Sequence, residues 1–164
     1  MVTASGESLR PNEEQLWQWL SEVPDPEIPV ISVVDLGIVR ATRWDGDTLV
    51  IVVTPTYSGC PATRVINDDI TAHMLKRGVS SVRVERQLSP AWTTAWLSEA
   101  GREKLQKYGI APPDESVGAG KRQVVCPHCK SCNTELISQF GSTPCKAAHR
   151  CKECLEPFDY FKCI

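Results

Sequence analysis

Two cysteine pairs, Cys126-Pro127-His128-Cys129 and Cys151-Lys152-Glu153-Cys154, stand twenty-one residues apart near the end of this 164-residue chain. A two-residue gap lets both thiolates of a turn reach one ion, and two such turns facing each other close a tetrahedral S₄ shell. The segment that carries them, residues 121–164, is too short for an apolar core to offset ordering entropy comfortably. A bound ion, worth roughly 10–16 kcal/mol at a structural zinc site, supplies that stability. Cys126, Cys129, Cys151 and Cys154 are therefore expected to hold zinc, with rubredoxin-like iron as the alternative. Lys130 and Leu155 stand where rubredoxin knuckles carry glycine, which favours zinc.

The remaining cysteines divide into two groups. Cys132 and Cys145 are additional ligand candidates near the ribbon, and Cys132 is close enough in sequence to compete for the ion. Their plainer reading, shared with Cys163, is as small buried hydrophobes. His128 and His149 read as surface or outer-sphere groups. Cys60 lies between Gly59 and Pro61 at an expected helix N-terminus, where amides and the helix dipole favour a thiolate.

Upstream, the pattern is that of a small α+β domain. Asn12 and Gln15 form a capping-box pair ahead of Leu16, Trp19, Leu20 and Val23 at helical spacing, and Pro24-Asp25-Pro26 closes that helix. Strands are expected over Gly37–Trp44 and Thr48–Thr54 around an Asp45-Gly46 turn, the second central because it is apolar on both faces. A helix opens at Pro61 with a core stripe of Ala62, Val65, Ile66, Ile70 and Met74 and closes at Gly78. Val82 and Val84 mark a third strand with one wet face, and a helix runs from Ser98 to Tyr108. The order α-β-β-α-β-α fills residues 12–110; residues 111–120 form a linker; residues 121–164 form the ribbon, with strands over Glu135–Phe140 and Ala148–Cys151.

Charge is uneven: residues 1–120 carry a net of −5 and residues 121–164 a net of +3. That is too little positive charge for a dedicated phosphate-binding surface, so no nucleic-acid partner is expected. No apolar run is long enough to span a membrane, and cysteines without an export signal point to the cytoplasm. No nucleotide fingerprint or di-iron carboxylate motif is visible, so no catalytic residue is assigned.

The stretches Asp25-Pro26-Glu27-Ile28-Pro29, Val34-Asp35-Leu36-Gly37-Ile38-Val39 and Thr54-Pro55-Thr56-Tyr57-Ser58-Gly59-Cys60-Pro61 resemble the iron–sulfur assembly domain family, which includes the SufT proteins. Trp96-Leu97-Ser98, Tyr108-Gly109-Ile110-Ala111-Pro112-Pro113 and Glu156-Pro157-Phe158-Asp159-Tyr160-Phe161-Lys162-Cys163 resemble its PaaD-like branch. The resemblance implies a compact α+β fold with a mixed sheet, and a transient metal or cluster site at Cys60 with Asp25 and Glu27. Without it, Asp25, Glu27 and Asp35 read as turn and surface carboxylates. It also implies a non-catalytic accessory role in phenylacetyl-CoA epoxidase, serving an iron–sulfur reductase or di-iron oxygenase subunit, with a homo-oligomer compatible. The competing readings are an adaptor without metal transfer, a rubredoxin-like electron carrier and a nucleic-acid module.

Overall fold

The computed structural model describes residues 10–113 and 123–162. Helix α1 (Glu13–Leu20) opens with the expected reciprocal cap: the Gln15 amide donates to Asn12 Oδ1 at 2.8 Å, and the Asn12 amide donates to Gln15 Oε1 at 3.2 Å. Leu16 and Leu20 are buried, and the helix stops at Leu20, ahead of Pro24. The irregular run that follows buries Ile28, Ile31, Val33 and Leu36. At its end Gly37 adopts φ +67°, and a Cβ there would lie 2.3 Å from the Trp96 carbonyl oxygen, so only glycine fits.

Strands β1 (Val39–Asp45) and β2 (Thr48–Val53) pair antiparallel around Gly46. Strand β3 (Val82–Arg86) joins β2 in parallel, so the sheet is mixed and β2 is central, as its two-sided apolar pattern requires. Helix α2 (Thr63–Lys76) begins two residues later than expected: Pro61 and Ala62 form the turn before it. Ile66, Ile70 and Met74 face the core, but Val65 is exposed, because it lies off the stripe that those three residues define. Ser98 caps α3 (Glu99–Lys107), and Gly109 ends it with φ +89°.

The second sheet has the order β4-β7-β6-β5, from β4 (Ile110–Ala111), β5 (Thr134–Ser138), β6 (Lys146–Cys151) and β7 (Pro157–Phe161). Four points of the expected ribbon need correction. The first ribbon strand stops at Ser138 rather than Phe140, and the second starts at Lys146 rather than Ala148. Strand β7 was not foreseen, although Phe158 and Tyr160 alternate inward with Asp159 between them. Ala111, expected to begin a linker, pairs with Tyr160 across β4 and β7. Residues 114–120 of that linker, with Lys121, Arg122 and Cys163, lie outside the described residues.

The two sheets share apolar packing. Cys145 and Phe161 belong to the same buried cluster as Leu36, Ile38 and Trp92. Trp92 meets the Phe161 ring edge-on at 6.0 Å and donates its indole N–H to the Leu36 carbonyl at 2.8 Å. The chain thereby brings the ribbon against the loop that holds Asp25.

Candidate metal centres

In the ribbon the four expected ligands converge. The sulfurs of Cys126, Cys129, Cys151 and Cys154 all lie within 4.8 Å of one another, with Cys126–Cys154 at 3.7 Å and Cys129–Cys151 at 3.5 Å. A tetrahedral ion with metal–sulfur bonds of about 2.3 Å requires sulfurs about 3.8 Å apart, so the donor set fits such an ion. Each knuckle is shaped by backbone bonds: the Lys130 amide donates to Cys126 O at 3.0 Å and the Cys151 amide to Glu156 O at 3.0 Å. Lys130 and Leu155 both adopt φ +64°, the left-handed conformation that glycine usually serves. Their side chains thus do not prevent the tight knuckle, and the missing glycines say little about which ion is bound.

The amides of Cys154 and Glu153 pull the Cys151 thiol down to about 7. Cys154, although the Glu156 amide favours its thiolate, is pushed up to about 12 by burial and by crowding from Cys129, Cys151 and Cys126. A cation removes that mutual repulsion. Cys132 lies exposed and outside the four-sulfur group. His128 is exposed as expected; His149 is not. It is buried between Phe158 and Tyr160, whose rings it meets at 5.8 and 5.4 Å, and burial lowers its pKa. It fills the ribbon's small core.

The second constellation lies where the lobes meet. Asp25, Glu27, Cys60 and Cys145 line one cavity of about 20 Å³, walled by Ile28, Phe161 and other apolar groups. Asp25 is buried, contrary to the plain surface reading, because its Oδ1 accepts the amides of Glu27 (2.9 Å) and Ile28 (2.8 Å) and so fixes the turn. Burial raises its pKa against those two bonds. Asp35 is also buried and stays apart from the cavity: it accepts from the Ser32 amide at 3.1 Å and Lys104 Nζ at 2.6 Å.

Cys60 is half-buried beside α2, held by the bond from its own amide to Tyr57 O at 3.2 Å. Gly59 makes room for this turn, since a Cβ there would meet the Tyr57 ring at 2.9 Å. The expected thiolate is not favoured: burial pushes the Cys60 thiol up, and Glu27 and Asp25 add to it, outweighing the amide of Ala62. Cys145, only 8% exposed, was foreseen as an extra ligand near the ribbon but faces this cavity instead. Its Sγ lies 3.8 Å from Glu27 Oε2. Burial raises its pKa as well, against a hydrogen bond with Thr143. The sequence signal that could have joined Cys145 to Glu27 does not exist, because 118 residues separate them.

Two family descriptions match the chain in succession: "iron-sulfur cluster assembly protein" over residues 13–85 and "PaaD zinc beta ribbon domain" over residues 111–162. A domain of unknown function from Bacillus anthracis matches with 28% identity and a TM-score of 0.52, covering 57% of this chain and 90% of its own. A conserved hypothetical protein from Thermotoga maritima matches with 31% identity and a TM-score of 0.50, covering 58% and 95%. Fold and sulfur sites together define an iron–sulfur assembly-type α+β domain that carries a cysteine ribbon. An Escherichia coli (strain K12) protein, provisionally named as a component of 1,2-phenylacetyl-CoA epoxidase, is 51% identical over 156 residues, 94% of each chain. The chain belongs to this PaaD family.

Proposed function

We propose that this protein is a non-catalytic, cytoplasmic accessory component of a phenylacetyl-CoA epoxidase system, which holds iron or an iron–sulfur unit on its way into a partner subunit. The observation that carries the reading is the shared cavity: two thiols and two carboxylates line one small space whose other walls are mostly apolar. Thiols that are protonated at rest become ligands when a cation offsets the nearby carboxylates, and protonation releases the cargo again. A transfer site needs that reversibility. The ribbon's four sulfurs, by contrast, suit a permanent zinc ion, closed and without an open position. The partner is expected to be the iron–sulfur reductase or the di-iron oxygenase subunit, with the exposed Leu136, Ile137 and Phe140 of the ribbon offering it apolar surface.

The ribbon is a poor nucleic-acid reader. Phe158, Tyr160 and Phe161 are buried, so no base can stack on them. Lys146 pairs with Asp159 at 3.4 Å, and Arg150 and Lys152 both pair with Glu135.

The test is co-expression of the Cys60→Ser variant with the reductase and oxygenase subunits. Iron content of the client and ring epoxidation are expected to fall together, severalfold. Full loading and full turnover with the Cys60→Ser variant would refute the transfer role.

A further inference from the structure

Cys145 has no part in the ribbon's own metal centre, yet it is nine-tenths buried with its sulfur beside a carboxylate. We propose that Cys145 and Cys60, one sulfur from each lobe, are the two thiolate ligands of a site for a single borderline divalent cation such as iron(II), completed by Glu27 and Asp25. This rests on the reading above that the cavity handles metal, and adds to it which residue completes the site and what form the cargo takes.

Three observations support the assignment. First, the donor types fit and one pair is already spaced for a shared ion; among the described residues no three of the four donor atoms lie within 4.8 Å of one another, so loading must draw the others in. A metal bound at about 2.3 Å by sulfur and about 2.1 Å by oxygen, at a tetrahedral angle, separates the two donors by about 3.6 Å. Cys145 Sγ and Glu27 Oε2 are 3.8 Å apart before any ion enters. Both backbone bonds to Asp25 end on Oδ1, so Oδ2 is outside them. Mixed sulfur and oxygen donors suit iron(II), cobalt(II) or zinc(II) rather than magnesium or calcium.

Second, the sulfur is positioned. The Lys162 amide donates to the Cys145 carbonyl at 2.9 Å, and the Gly141 amide donates to the Lys146 carbonyl at 2.8 Å, so the residue is pinned at the start of β6. Thr143 Oγ1 lies 3.1 Å from the sulfur itself. Buried Asn67 Oδ1 also belongs to the cavity lining and finds no hydrogen-bond partner among the described residues. It is an acceptor suited to a metal-bound water or to the ion itself.

Third, the space is small. A free volume of about 20 Å³ takes about one water-sized body. That space matches one ion better than two irons with two bridging sulfides, and the proposed cargo is an ion. Binding displaces one proton from each thiol to bulk water; the two thiolates neutralise the dication, and Glu27 and Asp25 hold it with their own charge. No electron moves.

The experiment uses the full chain with its ribbon saturated by zinc, titrated anaerobically with cobalt(II), whose thiolate charge-transfer absorption scales with the number of bound sulfurs. Zinc outcompetes cobalt at the ribbon, so cobalt reports on the cavity. One equivalent is expected to bind with two-thiolate intensity. Cys145→Ala should halve that intensity and weaken cobalt binding at least about tenfold; Glu27→Gln should weaken binding while keeping the intensity. Unchanged ribbon zinc and an unchanged thermal midpoint certify that each variant is folded. If Cys145→Ala, folded, leaves both readings as in the parent while Cys60→Ser abolishes them, the two-lobe site is refuted and the transfer role of Cys60 stands. If neither substitution matters, both are refuted.

Discussion

Replacing Phe161 by alanine tests whether the ribbon and the first sheet form one cooperative body. Phe161 is 1% exposed, closes the cavity that holds Asp25 and Cys60, and meets Trp92 edge-on. Truncating a fully buried phenylalanine costs about 3–5 kcal/mol, with about 1 kcal/mol of that traceable to the aromatic pair. A loss near 4 kcal/mol is a large share of the roughly 5–15 kcal/mol that holds a domain of this size together. The assay is urea unfolding of zinc-saturated protein, followed by far-ultraviolet dichroism and by tryptophan fluorescence. Both probes should move to lower urea together. Phe161→Leu, which keeps most of the volume, should lose less than about 1.5 kcal/mol. The same variants can be read by alkylation of Cys145, mapped by mass spectrometry. If the thiol reacts only after the lobes part, a 4 kcal/mol loss speeds labelling by about a thousandfold in the alanine variant. A shift under about 1 kcal/mol, or two separate transitions of which only one moves, would refute a shared core.

Removing the ribbon ion with a strong chelator should melt β5, β6 and β7 and, through the core that Phe161 shares with Leu36, Ile38 and Trp92, lower the urea midpoint of the first sheet as well; an unchanged far-ultraviolet spectrum after verified metal removal would contradict a structural ion. Asp35 gives a pH signature. Burial raises its pKa, but the bond from Lys104 and the two bonds with Ser32 lower it further, for a net depression. The ionised form is therefore the one the fold prefers: its contribution is present above the ordinary carboxylate value of about 3.9 and is lost as pH falls through the depressed one. Asp35→Asn should accordingly be destabilised by about 1–3 kcal/mol at neutral pH, with the gap to the parent closing below about pH 4; a gap that stays constant with pH would show that Lys104 does not act through charge.

What could be read from the sequence was what depends on near neighbours. The Asn12–Gln15 cap, the hairpin at Gly46 and the glycine stop at Gly109 are each settled within a few residues, and they form as expected. The convergence of the four ribbon sulfurs was legible because spacing alone puts two of them on one turn. Burial of Asp25 and Asp35 was not legible, since what covers or pairs them is distant in sequence: Cys145 and Phe161 share the cavity that Asp25 lines, and Asp35 meets a lysine sixty-nine residues away. The rise in the Cys60 pKa was missed for a related reason: a helix terminus is visible in sequence, whereas the two carboxylates and the apolar wall beside it come from elsewhere. Positive φ at Lys130 and Leu155 is likewise set by the knuckle and not by residue type.

The two-residue strand β4 has an outcome for anyone who wishes to cut or splice this chain. It leaves α3 and immediately lies along β7, so the first lobe supplies the outermost rung of the second lobe's ladder. A fragment begun beyond Ala111 would bare the amides and carbonyls of β7, an open flank that recruits a neighbouring chain. Chimeras that trade one ribbon for another should therefore change over upstream of Ile110, so that each ribbon travels with its own guard rail.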